Sequence, residues 1–169
     1  MSGHFFNKYL NTQYFDSPIG LLRIEARSSG ITAVTFCDAD DEPGAAHPSE
    51  HTQQCVQELQ EYFAGERKVF SCVLSPSGTS FQQHAWQLLQ QIPYGTTVSY
   101  KTQALRSGDA NSIRAIAAAN GKNPIAILIP CHRVVGVNGK LTGYSGGLWR
   151  KQWLLEHEAY VATGFRKLV

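Results

Sequence analysis

The chain has 169 residues, of which 43% are hydrophobic, and a formal net charge of +2, a composition that suits a folded globular protein and excludes a disordered one. No apolar run approaches the roughly 18 residues needed to cross a bilayer. The opening MSGHFFNKYLNTQYF also lacks the charged start, apolar middle and cleavage site of a signal peptide, so a soluble, cytoplasmic protein with no membrane partner is expected.

The small net charge hides an asymmetry. Residues 1–78 carry 5 Lys/Arg against 10 Asp/Glu, a balance of −5, and residues 79–169 carry 10 against 3, a balance of +7. A basic half fits phosphate neutralisation on a nucleic acid; a solvated face that happens to be basic fits equally well. Cys37, Cys55, Cys72 and Cys131 form no C-x-x-C pair and no zinc-type spacing with histidine, so neither a disulfide framework nor a local metal site is expected.

In chain order, LLRIEARSSGITAVTFC predicts two strands about a hairpin at Ser28-Ser29-Gly30, and an acidic Pro/Gly loop follows. A helix is predicted from Ser49 to Gly65, with Val56, Leu59 and Phe63 on its buried face. Cys37, Cys55 and Cys72 read as small core residues. Ser75-Pro76-Ser77-Gly78 marks a boundary between an α/β scaffold domain, 1–78, and a mostly helical domain, 79–169. The second domain opens with a helix capped by Thr79 or Ser80, burying Phe81, Ala85, Leu88, Leu89 and Ile92. Short helices at about 99–105 and 111–120, joined through Ser107-Gly108-Asp109, give a helix-turn-helix layout. The second of them, NSIRAIAAAN, has an alanine-smooth surface and a cation, Arg114, in its first turn, where the helix dipole disfavours one.

Pro124 to Pro130 is a continuous apolar run that predicts a buried strand, with Cys131 held rigidly at its end. Cys131-His132-Arg133 puts a base and a cation beside a thiol, the pattern that activates a nucleophile. Neighbouring residues of an extended chain point to opposite sides, so a water bridge or a turn is required for His132 to serve Cys131. Coincidence remains open from spacing alone. Asn138-Gly139 signals a turn, and the glycine-rich Gly143 to Gly147 leads into a last helix whose Leu148, Lys151, Leu155 and Glu158 share one stripe. A carboxylate on that stripe needs a partner; His132 and solvent are the two readings.

With these residues in place, Ile129-Pro130-Cys131-His132-Arg133-Val134 resembles the O6-alkylguanine-DNA alkyltransferases. The likeness runs through Phe81-Gln82, Trp86, Ile92-Pro93-x-Gly95, Ser99-Tyr100, Arg114-Ala115, Asn120-Gly121-x-Asn123-Pro124, Gly143-Tyr144-Ser145-Gly146-Gly147 and Trp153-Leu154-Leu155-x-x-Glu158. In the first half only Ser17-Pro18-Ile19-Gly20 and Tyr62-Phe63-Ala64-Gly65 share it, as in bacterial members without a regulatory domain.

The resemblance implies an α/β (α+β) chain with a ribonuclease-H-like first domain and a winged-helix-like second one. It implies a monomer, cooperative on DNA in some settings, that binds double-stranded DNA through the minor groove, flips out O6-alkylguanine and, as an extension, O4-alkylthymine, and moves the alkyl group irreversibly to Cys131. By the same matching, His132 activates Cys131 through a water, Glu158 orients His132, Asn123 supports the segment, and Tyr100, with Lys151 close by, donates a proton to the leaving base. Arg114 would replace the extruded base in the stack and Ala115 would meet the groove. Val134 and Ser145 would read the base through backbone groups, and Tyr144 would line its pocket. Some relatives hold a structural zinc, but no matching His/Cys set occurs here, so no metal and no cofactor are expected.

Ile116-Ala117 replaces a more usual valine-glycine, Ile113 stands where a small residue is common, and Leu148-Trp149 is unusual. A lesion sensor that lacks the acceptor cysteine is the main alternative, and Cys131 argues against it. A helix-turn-helix regulator or a cysteine hydrolase leaves the Cys131 context unexplained.

Overall fold

Leu22, Ile24 and Ala26 alternate inward along one strand and are fully buried, the period-2 pattern of a sheet with one covered face. In the computed structural model, which describes residues 9–165, that strand is β2 (Gly20–Arg27). It lies between β1 (Asn11–Ser17) and β3 (Gly30–Phe36) in an antiparallel sheet of order β1-β2-β3. The hairpin about Ser28-Ser29 forms where it was expected. β1 was not anticipated, because NTQYFDS is only half-buried and carries no aliphatic alternation.

α1 (Glu50–Phe63) starts at a reciprocal capping box between Ser49 and Thr52. Its buried face is Thr52, Cys55, Glu58, Leu59 and Tyr62; Leu59 is buried as expected, but Cys55 and Tyr62 take the places expected for Val56 and Phe63, which are only half-buried. The reason is polar: Glu58 turns inward and accepts from Ser71 N at 2.9 Å, Cys72 N at 3.2 Å and Cys72 Sγ at 3.0 Å. A buried carboxylate supplied with donors can share a core face with apolar neighbours. Cys55 is the small core residue expected, whereas Cys72 is a half-buried hydrogen-bond donor.

The chain divides into two compact units that part between Pro76 and Ser77. The second holds α2 (Ser80–Gln90), β4 (Val98–Ser99), α3 (Tyr100–Ser107), α4 (Ile113–Gly121), β5 (Val134–Val135) and α5 (Leu148–Thr163). β4 and β5 pair in parallel, Val98 with Val134 and Ser99 with Val135. α2 is capped by Thr79 and Gln82 and buries Ala85, Trp86, Leu88 and Leu89, with Phe81 left 40% exposed. Gly108 ends α3 at φ 99°, a left-handed turn that glycine adopts without strain.

α4 begins at Ile113 rather than Asn111, because Asp109 Oδ1 holds Asn111 N at 2.8 Å and Ser112 Oγ donates to Asp109 O at 2.6 Å, an Asx-type competitor to helix. Arg114 still falls in its first turn. α4 is fastened on its inner side by a small apolar cluster, Ala85, Ala104, Ile116 and Ala119. Trp86 Nε1 donates to Ala119 O at 2.9 Å, and Gln103 and Asn120 exchange amide hydrogen bonds of 2.9 and 2.7 Å.

The segment 124–130 is buried but is not the strand expected. Leu128 N donates to Ala126 O at 2.8 Å across Ile127, whose φ is 72°. Cys131 N donates to Ile129 O at 2.8 Å across Pro130, at φ −84° and ψ 63°. These are two γ-turns, the first of the rarer, strained hand. Apolar continuity reports burial and cannot by itself distinguish a strand from a packed turn. No helix among the described residues is long and apolar enough to cross a membrane.

The amide pair gives a stability test. Gln103→Leu leaves the buried Asn120 amide without its partner and should cost about 1–3 kcal/mol in urea unfolding. The double variant Gln103→Leu/Asn120→Leu should recover at least half of that loss. Additive losses in the double variant would show that the pair is not coupled.

Candidate active site

The site is built around one carboxylate. Glu158, on the inner face of α5 and fully buried, accepts Arg133 Nε on Oε2 at 2.9 Å and Arg133 NH2 on Oε1 at 2.9 Å. Oε1 also meets His132 Nε2 at 2.8 Å, and Oε2 accepts Gly95 N at 3.2 Å. Gly95 has φ 74°, and a Cβ there would lie 2.9 Å from Ala162 Cβ, so glycine alone lets this loop approach α5. Arg133 NH1 spends its proton on Ile92 O at 2.8 Å. Burial opposes ionisation of Glu158, but His132 and the Arg133 fork outweigh it and hold the carboxyl well below the usual range.

Cys131, His132 and Arg133 form one 3-10 turn, which lets consecutive side chains share a region that an extended chain would split. His132 is fully buried, and burial lowers its pKa against the opposing pull of Glu158. A neutral ring whose Nε2 donates to Glu158 presents Nδ1 as an acceptor. That Nδ1 is buried and has no hydrogen-bond partner. Cys131 and His132 are not directly hydrogen-bonded. Burial pushes the Cys131 thiol up, with Asn123 and the Lys151 charge pulling it down, so the resting group is a thiol and its reaction requires a base.

Asn123 ties the approach to Cys131: its Nδ2 donates to Ile129 O at 2.7 Å, and its Oδ1 accepts Ile125 N at 3.0 Å. Lys151, fully buried, donates to Thr142 O at 2.9 Å, and its Nζ lies 3.5 Å from Tyr100 Oη. Desolvation lowers its pKa to about 8. Tyr100 Oη donates to the same Thr142 O at 3.0 Å, and burial raises its pKa.

Cys131 opens into a pocket of about 460 Å³ shared with Tyr100, Arg114, Ala117, Tyr144 and Ser145. The Tyr144 hydroxyl is buried with no hydrogen-bond partner. The structure therefore gathers Cys131, Tyr100, Arg114, Tyr144 and Ser145 around the pocket and places His132, Glu158, Asn123 and Lys151 among the groups that support it. Two residues lie elsewhere. Ala115 is on the exposed side of α4 and outside the pocket lining, and Val134 is fully buried and paired with Val98. Ile113 and Thr142 line the pocket, and Arg133 and Gly95 support it. None of these four is among the expected site residues; Arg133 is read from the sequence as a cation beside the thiol, and Ile113 as a departure from a small residue. Among the described residues, no group of three or more His, Cys, Asp or Glu side chains could hold a metal ion.

The network predicts acid sensitivity. His132 is buried with its pKa below that of the unfolded chain, and Glu158 is lowered too. The unfolded state therefore binds more protons in acid. The contribution of these two groups to stability is fully present above about pH 6.5, the unfolded histidine value. It is lost as pH falls, first through His132 and then below about pH 4.3 through Glu158. Thermal unfolding should show a falling Tm from pH 7.5 to 5, with His132→Gln flattening the upper part of that decline. A Tm independent of pH across this window would contradict the assigned protonation states.

Comparison with known proteins agrees with this geometry. Residues 10–76 match the family model for the ribonuclease-like domain of 6-O-methylguanine DNA methyltransferase, and residues 80–160 the model for its DNA binding domain. A methylated-DNA–protein-cysteine methyltransferase of Mycolicibacterium paratuberculosis is 47% identical over 146 residues, covering 85% of this chain and 88% of its own. The crystal structure of a Mycobacterium tuberculosis O6-methylguanine methyltransferase superposes with a TM-score of 0.81 at 40% identity, covering 95% of this chain and 96% of its own. The same organism's OGT in complex with DNA gives a TM-score of 0.81 at 42% identity, covering 89% and 93%. A thiol at the head of an open pocket, backed by a buried histidine and carboxylate, thus stands on a fold and sequence shared along nearly the whole chain, and the protein belongs to the 6-O-methylguanine DNA methyltransferase family.

Proposed function

We propose that the chain repairs DNA by direct reversal, taking the alkyl group from O6-alkylguanine, and secondarily from O4-alkylthymine, onto Cys131. The observation that carries this reading is the place of Cys131, the one thiol among the described residues that lines the 460 Å³ pocket. A base inside a duplex cannot reach such a recessed sulfur, so the nucleotide has to leave the stack. Arg114, exposed in the first turn of α4 and on the pocket rim, is suited to fill the vacated position. The alanine-rich outer face of α4 allows close approach through the minor groove. The protein acts as a monomer in the cytoplasm, and its basic half supplies the phosphate contacts.

The chemistry follows from the protonation states. The Cys131 proton passes through a bridging water to His132 Nδ1, whose orientation Glu158 fixes through Nε2. The sulfur attacks the alkyl carbon, the C–O6 bond breaks, and its electron pair returns to the purine. Tyr100 supplies a proton to a ring nitrogen so that neutral guanine leaves, with Lys151 stabilising the phenolate that forms. The proton held by His132 then replaces the one given by Tyr100, which completes the balance: a thiol and an alkyl ether become a thioether and guanine. The thioether has no ready leaving group, and among the described residues no second thiol lines the pocket, so each molecule reacts once.

Conversion of O6-methylguanine to guanine in a synthetic duplex, followed by nuclease digestion and chromatography, should plateau at one lesion per protein molecule. Cys131→Ser should convert none while still binding the lesion. Tyr100→Phe should slow single-turnover transfer about 10²-fold or more, and Arg114→Ala should weaken lesion binding. Conversion by Cys131→Ser, or turnover beyond one equivalent, would overturn this reading.

A further inference from the structure

We propose that Arg133 is a positioning residue for alkyl transfer: by gripping both oxygens of Glu158 it compensates that carboxylate, so that the adjoining His132 ring stays neutral and keeps Nδ1 available to the thiol proton. This rests on the functional reading above, in which His132 is the base. Arg133 itself does not line the pocket.

The argument begins with what Glu158 would do alone. A buried, uncompensated carboxylate 2.8 Å from an imidazole favours the imidazolium, because two opposite charges in a dry site stabilise one another. A permanently protonated His132 has no lone pair and cannot act as a base. In the structure the carboxylate instead receives a planar fork, Nε to Oε2 and NH2 to Oε1, both at 2.9 Å. A bidentate guanidinium matches a carboxylate in geometry and charge. The fork cannot swing away, since NH1 is held on Ile92 O at 2.8 Å and the guanidinium lies 5.6 Å from the centre of the Tyr94 ring. Arg133 is only 6% exposed, so solvent screens the pair little.

The charged and titratable groups around His132 can be named by element. Glu158 on α5 favours its protonation; Arg133 on its own turn and Lys151 on α5 oppose it, and burial acts in the same direction. Cys131, the partner in transfer, is protonated at rest. Glu158 is thereby used as a hydrogen-bond acceptor that fixes the ring, while its charge is largely taken up by Arg133.

The test is the pH dependence of single-turnover transfer from an O6-methylguanine duplex, together with NMR titration of the His132 ring in the same intact protein. Wild type should lose rate in acid with a midpoint below the ordinary histidine value of about 6.5. Arg133→Met and Arg133→Gln should move both the kinetic midpoint and the His132 titration up by one pH unit or more. Below both midpoints that is a loss of about tenfold, recovered at high pH. Arg133→Lys, which keeps the charge, should keep both midpoints near wild type. A role in folding alone would lower the rate by one factor at every pH, and that result, or unmoved midpoints in folded Met and Gln variants, overturns the proposal. Should those two fail to fold, the Lys variant decides: a wild-type His132 midpoint supports the proposal, and a raised one overturns it. If wild type transfers no methyl group, the functional reading fails, while the NMR shifts still decide whether Arg133 keeps His132 neutral.

Discussion

The ionised, fully buried Glu158 is the constraint on which the rest of the second unit depends. Removing a carboxylate from water is costly unless every lone pair is used, and four contacts to three residues meet that requirement here. The chain has to bring Gly95 from the loop after α2, and His132 and Arg133 from the turn after the 124–130 segment, onto one face of α5. The same gathering sets the histidine ring, limits its rotation and leaves Nδ1 buried without a partner. Structure and reactivity thus share one source: the groups that satisfy the carboxylate are those that prepare a base for the thiol.

A second constraint acts on the backbone that delivers Cys131. Two consecutive γ-turns, one with Ile127 at φ 72°, replace the extended strand that would have sent Cys131 and His132 to opposite sides. A β-branched residue at positive φ costs on the order of 1–3 kcal/mol. The packing of Ile125, Ile127 and Ile129, each at most 1% exposed, and the two Asn123 hydrogen bonds hold it in place. The cysteine is in consequence rigid, recessed and reached only through the pocket.

The parts of this arrangement that were legible in the sequence are those carried by side-chain type and short-range spacing. The start of α1 near Ser49, the cap at Thr79, the helix-turn-helix and the turn at Asn138-Gly139 have local causes and form as expected. The family likeness pointed to the Cys131, Tyr100, Arg114, Tyr144 and Ser145 that meet at the pocket. What was not legible depends on partners distant in the chain. Arg133 joins Glu158 across 25 positions, Gly95 joins it across 63, and Gln103 meets Asn120 across 17. Pattern also misplaced the buried face of α1, since hydrophobicity gives no hint that Glu58 would turn inward, and it read the packed turns before Cys131 as a strand. Val134, within the most specific motif, lies outside the pocket lining and pairs with Val98 of β4.

The central claim is that Cys131 is the acceptor. Its most direct test is peptide mapping by mass spectrometry after the protein has met a duplex containing one O6-methylguanine. The account predicts a single methyl group, found on the peptide that holds Cys131 and on no other cysteine. A methyl group on Cys37, Cys55 or Cys72, or tight binding of the lesion by folded protein with no gain in mass, would contradict it.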